Sequence, residues 1–193
     1  MSPTIRIVPY DSTWPEEFHS VALPLRQALS ALAMRIDHIG STSVPGLPAK
    51  DIIDVQVTVA VLDGLTISDA LAPLGYMIHN GIAGDHIPPD WDPSPEQWRK
   101  LYFYAPSHQR ATHLHVRQAG RANQLYPILF RDYLRVTPAA SRAYAQVKQA
   151  LATLHPDDVA AYYDVKDPVC DIIMAGATRW AADTQYAPGP SDL

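Results

Sequence analysis

The spacing of apolar residues changes along this chain, and each change predicts an element. Ile5 to Val8 alternates around Arg6, which predicts a short strand ended by Pro9 and the turn residues Asp11 and Ser12. Phe18, Val21, Ala22, Leu25, Ala28, Leu29 and Leu32 then recur at helical spacing. Ser12 or Thr13 can cap that helix, Pro15 suits its first turn, and Glu16 and Glu17 complement its dipole, while Pro24 is expected to kink or split it. Next comes an apolar strand at Ile36 to Ile39, a stop at Gly40-Ser41-Thr42-Ser43, and a turn through Val44-Pro45-Gly46-Leu47-Pro48. Asp51 to Val59 follows, rich enough in Ile and Val for a central strand.

Beyond it, Gly64 to Gly75 reads as a helix closed by a C-terminal glycine, and Tyr76 to Ile78 as a short strand. Asn80 to Pro95 is loop by every local signal, of a length often used as a lid or specificity element. Lys100 to Ala105 and His113 to Arg117 predict an antiparallel hairpin. The period then turns helical for Asn123 to Val136, Ala139 to Leu154 and about Asp157 to Ala182. Strands first and helices last give an α+β fold, a mixed sheet flanked by helices with a helical C-terminal region. A single domain over residues 1–185 is expected, with 186–193 as a disordered tail.

Asp54 is the costly residue of this pattern. A carboxylate in the middle of a buried strand needs a partner, because leaving it unpaired costs several kcal/mol. Lys50 is one candidate partner and a metal ion is the other. Residues two apart on a strand share a face, so Asp54 and Gln56 point one way and Asp51 the other. His113 and His115 likewise share a face, a geometry that suits a transition metal such as Zn²⁺, Mn²⁺ or Ni²⁺. Asp54, His113 and His115 would make a three-ligand open site. The alternative is a pair of hydrogen-bonded histidines lining a polar cleft.

The run HIGSTSVPGLPAKDIIDVQV resembles the signature of the GrpB family, a bacterial family regarded as a branch of the nucleotidyltransferase superfamily. The resemblance continues in VPYDSTWPEEF, HLHV, FRDYLR, YAQVK and YYDVK, and so covers nearly the whole chain. It implies a nucleotidyltransferase-like fold in which Gly40, Ser41 and Thr42 form the phosphate-holding turn and Asp54 is the first acid of a metal-binding pair. Gln56 stands where the superfamily has its second acid, which weakens a two-metal mechanism. HLHV falls where the third acidic strand is expected, so imidazoles replace a carboxylate there. Lys50, Arg131 and Lys166, with Lys148 as a further candidate, would supply positive charge for a triphosphate.

The reaction so implied is transfer of a nucleoside monophosphate from an NTP to an unknown acceptor, with a divalent metal: Mg²⁺ or Mn²⁺, or Zn²⁺ or Ni²⁺ if both histidines ligate. A non-catalytic nucleotide- or metabolite-binding module is the alternative, linked to coenzyme A metabolism because domains of this family occur fused to dephospho-coenzyme A kinase. A metal-dependent phosphoester hydrolase on the same ligands is a third option.

Composition narrows the partners. A net charge of −5 and a pI near 5.8 argue against nucleic acid as the main one. A single cysteine, Cys170, excludes a disulfide framework within one chain. With no charged start before an apolar run and no membrane-length apolar window, a cytoplasmic protein without a membrane partner is expected. There is no G-x-x-x-x-G-K-[ST], which excludes a P-loop kinase within this sequence.

Overall fold

The computed structural model describes residues 4–193. Helix α1 (Trp14–Leu29) runs into strand β1 (Ala33–Ile39), which is followed by β2 (Ile53–Val59), α2 (Gly64–Leu71), β3 (Met77–Ile78), a single helical turn α3 (Pro95–Trp98) and the pair β4 (Lys100–Tyr104) and β5 (Thr112–Gln118). Three helices close the chain: α4 (Ala122–Val136), α5 (Pro138–Leu154) and α6 (Val159–Thr184). The five strands lie in the order β1-β2-β5-β4-β3. β2 and β5 run parallel, and the other neighbours are antiparallel, so the sheet is mixed.

Strand parity sorts the side chains into two layers. Ile36, Ile53, Val55, Val57, Phe103, Leu114 and Val116 face α1 and α2 and join Trp14, Phe18, Leu25, Ile67 and Leu71 in the main core. α1 stays one helix through Pro24 rather than splitting; its apolar stripe of Trp14, Phe18, Ala22, Leu25 and Leu29 is fully buried against the sheet. The opposite face of the central strands carries Asp54, Gln56, His113, His115 and Arg117. α4 covers part of that face, and α5 and α6 pack on α4 through Leu134, Tyr144, Met174 and Ala177.

Three expectations are corrected. Ile5 to Val8 does not form a strand: Val8 makes only a bridge to Ala49, while Ile5 bonds to Pro156, so its backbone groups are divided between two neighbours. Residues 186–193 are not a disordered tail. Ser191 Oγ accepts from the Ile36 N–H, Asp192 accepts from the His38 N–H at 2.9 Å, and the Leu193 N–H donates to Ile36. β1 is an edge strand with unpaired backbone groups, and this segment covers them. Arg131 is the third correction and belongs with the site.

Candidate functional site

β2 lies in register beside β5, with Asp54 opposite His113 and Gln56 opposite His115. His113 Nδ1 is 3.0 Å from Asp54 Oδ1, and His115 Nε2 is 3.9 Å from the same oxygen. One ligand atom from each of the three side chains falls within 4.8 Å of the others. Burial raises the carboxyl pKa, but the hydrogen bond from His113 and the nearby His115 imidazole outweigh it and hold Asp54 below the usual carboxylate range. Burial, reinforced by Arg117, pulls His115 down to about 4, so its imidazole is neutral at pH 7.

Asp54 is also why residue 40 is glycine. Gly40 has φ +69° and ψ −172°, a region that essentially only glycine occupies, and a Cβ there would lie 2.2 Å from Asp54 Oδ2. The carboxylate therefore packs directly on the turn. Within that turn the Thr42 hydroxyl is engaged with the Ile52 carbonyl and His38 Nε2, and the Ser43 hydroxyl with the Gly40 carbonyl. Ser41 is different: its Oγ accepts from Lys148 Nζ at 2.8 Å.

The turn and the triad open into one cavity of about 470 Å³, walled on its far side by α5 and α6. Four lysines line it: Lys100 on β4, and Lys148, Lys50 and Lys166 on the side of the turn. Lys148 is buried and also donates to the Pro48 carbonyl at 2.7 Å; burial, with Lys166 nearby, pulls its pKa down to about 7. Lys50 stands over the rings of Tyr162 and Tyr163 at 4.7 and 4.9 Å, and Lys166 over Tyr163 at 5.2 Å. Lys50 forms no ion pair with Asp54. Asp51 points away, as strand parity requires, and accepts from Trp14 Nε1 and Arg110.

Arg131, expected among the phosphate contacts, is outside this cavity. Its helical position turns it toward β1, where it is buried and bonds to the His38 carbonyl, Asp192 and Asp132. Its charge is neutralised within the fold. Gln56 is likewise not free to ligate: its Oε1 accepts from Arg117 at 2.8 Å, and its Nε2 donates to the Gln124 carbonyl at 2.9 Å.

Sequence reasoning missed the polar floor beside the triad. Asp85, carried in by the 80–95 loop, accepts from Lys100 at 2.6 Å, from both Arg117 Nε and Nη2 at 2.8 Å, and from Asn123 at 3.0 Å. The paired Arg117 bonds are a planar fork on a carboxylate. The signal available in the sequence was a cationic residue, Arg117, continuing the His-x-His face of one strand. This network places cations behind His115, with Lys100 Nζ 3.4 Å and Arg117 Nη2 3.5 Å from its Nδ1.

The donor set of one carboxylate oxygen and two imidazole nitrogens fits a divalent transition metal. On tautomer grounds His113 would be the better of the two imidazole ligands. A His that binds metal through Nε2 carries its proton on Nδ1 and usually donates it to an acceptor, whereas Nδ1 of His115 meets two donors.

These features define an α+β protein with a carboxylate–imidazole site at the mouth of a lysine-lined cavity. The chain belongs to the GrpB family: the family profile, described as GrpB protein, matches residues 4–175. A solved relative, the conserved protein GrpB from Enterococcus faecalis, superimposes with a TM-score of 0.75 at 28% identity, over 92% of this chain and 99% of that one. A dephospho-CoA kinase of Mycolicibacterium paratuberculosis is 33% identical over 95% of this chain, and UPF0157 protein PA4798 of Pseudomonas aeruginosa 34% identical over 90%. The chain spans 48% of the length of that kinase and 67% of the Pseudomonas protein. No helix among the described residues is long and apolar enough to cross a membrane.

Proposed function

We propose that this protein is a metal-dependent nucleotidyltransferase, moving a nucleoside monophosphate from an NTP to an acceptor whose identity is open. The observation that carries the reading is the convergence of Asp54, His113 and His115 beside the Gly40-Ser41 turn, in a cavity that four lysines also line. A divalent cation held by Asp54, His113 and His115 would neutralise charge on the phosphates and on departing pyrophosphate. Ser41, Lys50 and Lys166 orient the phosphate chain, and the Tyr162 and Tyr163 rings hold Lys50 in place. Asp54 is kept ionised at all physiological pH by its two imidazole partners, which suits a ligand and not a general base. Use of NTP fits a cytoplasmic protein.

The test is incubation of purified protein with α-labelled ATP, Mn²⁺ or Mg²⁺, and cell extract. Labelling of an acceptor or release of pyrophosphate is expected from the wild type and not from Asp54→Ala. Equal activity in Asp54→Ala overturns the assignment.

One observation favours a second reading, a nucleotide- or metabolite-binding module without catalysis. Gln56 occupies the second acid's place, and both ends of its amide are already bonded. Relatives named dephospho-CoA kinase connect this reading to coenzyme A metabolism. Calorimetry with ATP and dephospho-coenzyme A separates the two: binding without turnover, unaffected by Gln56→Glu, favours the module.

A further inference from the structure

Lys148 is a buried amine that the fold leaves without a counter-ion. Its exposure is 2%, its hydrogen bonds go to the neutral Ser41 hydroxyl and Pro48 carbonyl, and among the described residues no carboxylate pairs with it. A buried cation normally has a paired anion, because the desolvation cost is several kcal/mol otherwise. The surroundings make the deficit worse. Lys50 approaches from the loop before β2 and Lys166 from α6, and both disfavour charge on Lys148. Tyr144 lies on its own helix, with its ring 4.6 Å from Nζ, and its hydroxyl is held neutral by burial. Cys170 on α6 and Asp54 on β2 favour the charged form, but neither bonds to it. Together these leave Lys148 near pH 7 in its titration, with one N–H direction not taken by Ser41 or Pro48.

All three amines open on the same cavity. We propose that Lys148, Lys50 and Lys166 form a phosphoanion subsite that is completed by a proton: a polyphosphate binds there together with H⁺ taken up by Lys148, which becomes its buried counter-ion. No covalent bond is made or broken; the proton comes from solvent and ends on Lys148 Nζ. The inference rests on reading the cavity as a phosphate site, and it adds that occupancy by a phosphoanion is coupled to pH through a residue that touches no metal ligand. Ligand binding then shifts Lys148 from a partly neutral amine to an ammonium, and the gain reverses when the anion leaves.

Metal-free calorimetry tests this, using ATP and methyl triphosphate, which carries the same phosphate chain without base or sugar. Titrations at pH 8 in buffers of different ionisation enthalpy give the number of protons bound. At that pH the ligand contributes almost nothing, since a terminal phosphate loses its last proton near about pH 6. A lysine with a free-state pKa of about 7 is about one-tenth protonated at pH 8, so up to about 0.9 proton is taken up per site. Affinity should also fall about tenfold from pH 8 to 9. Lys148→Met, or Lys148→Gln if the first does not fold, should bind more weakly with proton uptake near zero.

The outcomes separate the inference from the reading beneath it. Methyl triphosphate binding with uptake while ATP fails to bind supports the subsite and overturns the nucleotide. Binding of either ligand by the wild type without proton uptake overturns the inference and leaves the nucleotide reading standing. Uptake unchanged in both Lys148 variants also overturns it. Failure of both ligands to bind without metal overturns the inference and leaves the metal-dependent reading standing.

Discussion

Gly40→Ala should uncouple the turn from the acid that packs on it. The backbone at residue 40 lies in a region that essentially only glycine occupies, so alanine alone costs about 1–3 kcal/mol there. Its Cβ would also meet Asp54 Oδ2 at 2.2 Å, Cγ at 2.8 Å and Cβ at 2.9 Å, closer than any real contact. The carboxylate must then swing away and lose its bond with His113, worth about 1.5–3 kcal/mol for a charged partner. The single substitution is therefore expected to cost about 2.5–6 kcal/mol by urea unfolding, as the sum of those two effects. In an Asp54→Ala background the two closest contacts vanish and only Cβ remains, so the same change should cost about 1–3 kcal/mol. Metal retention in Gly40→Ala should fall to the level of Asp54→Ala. Equal destabilisation by Gly40→Ala in both backgrounds would refute the argument that glycine is required by the packed carboxylate.

Three further outcomes follow from the site and its support. Elemental analysis of protein purified without a His tag should show that His113→Ala loses more metal than His115→Ala, because Lys100 and Arg117 stand behind His115; the reverse order sinks that ranking. Arg117→Met leaves Asp85 and Gln56 each short of a buried partner and should cost about 3–5 kcal/mol, whereas a loss under about 1 would mean the network is solvated. His38 stacks on Phe18 at 4.8 Å, and burial lowers its pKa to about 4. A base with a depressed folded pKa stabilises the protein above its unfolded value and loses that contribution as pH falls from about 6.5 toward 4, about 3 kcal/mol in all. The stability difference between wild type and His38→Phe should narrow by that amount between pH 7 and pH 4; a constant difference would count against a neutral buried imidazole.

What the sequence determined by itself was whatever depends on period and parity. Helical spacing was enough for α1 and for the three C-terminal helices, and alternation for the two faces of β2 and β5. Parity alone put Asp54 with Gln56 and His113 with His115, because consecutive Cβ atoms on a strand point to opposite sides whatever lies next to it. The meeting of the two pairs is a different kind of fact. It required β5, while still paired with β4 on one side, to lie parallel to β2 on the other in a register that sets Asp54 opposite His113, and such pairing is decided between residues far apart in the chain. The same limit explains Arg131 and Lys148. Both sit on amphipathic helices, and local spacing cannot say which of two cationic positions turns inward to β1 and which to a cavity. Asp85 in its loop and Asp192 near the chain's end look like solvated carboxylates until the tertiary fold brings arginine donors to them. Low dielectric and missing water make those nonlocal partners obligatory, and only the assembled fold supplies them.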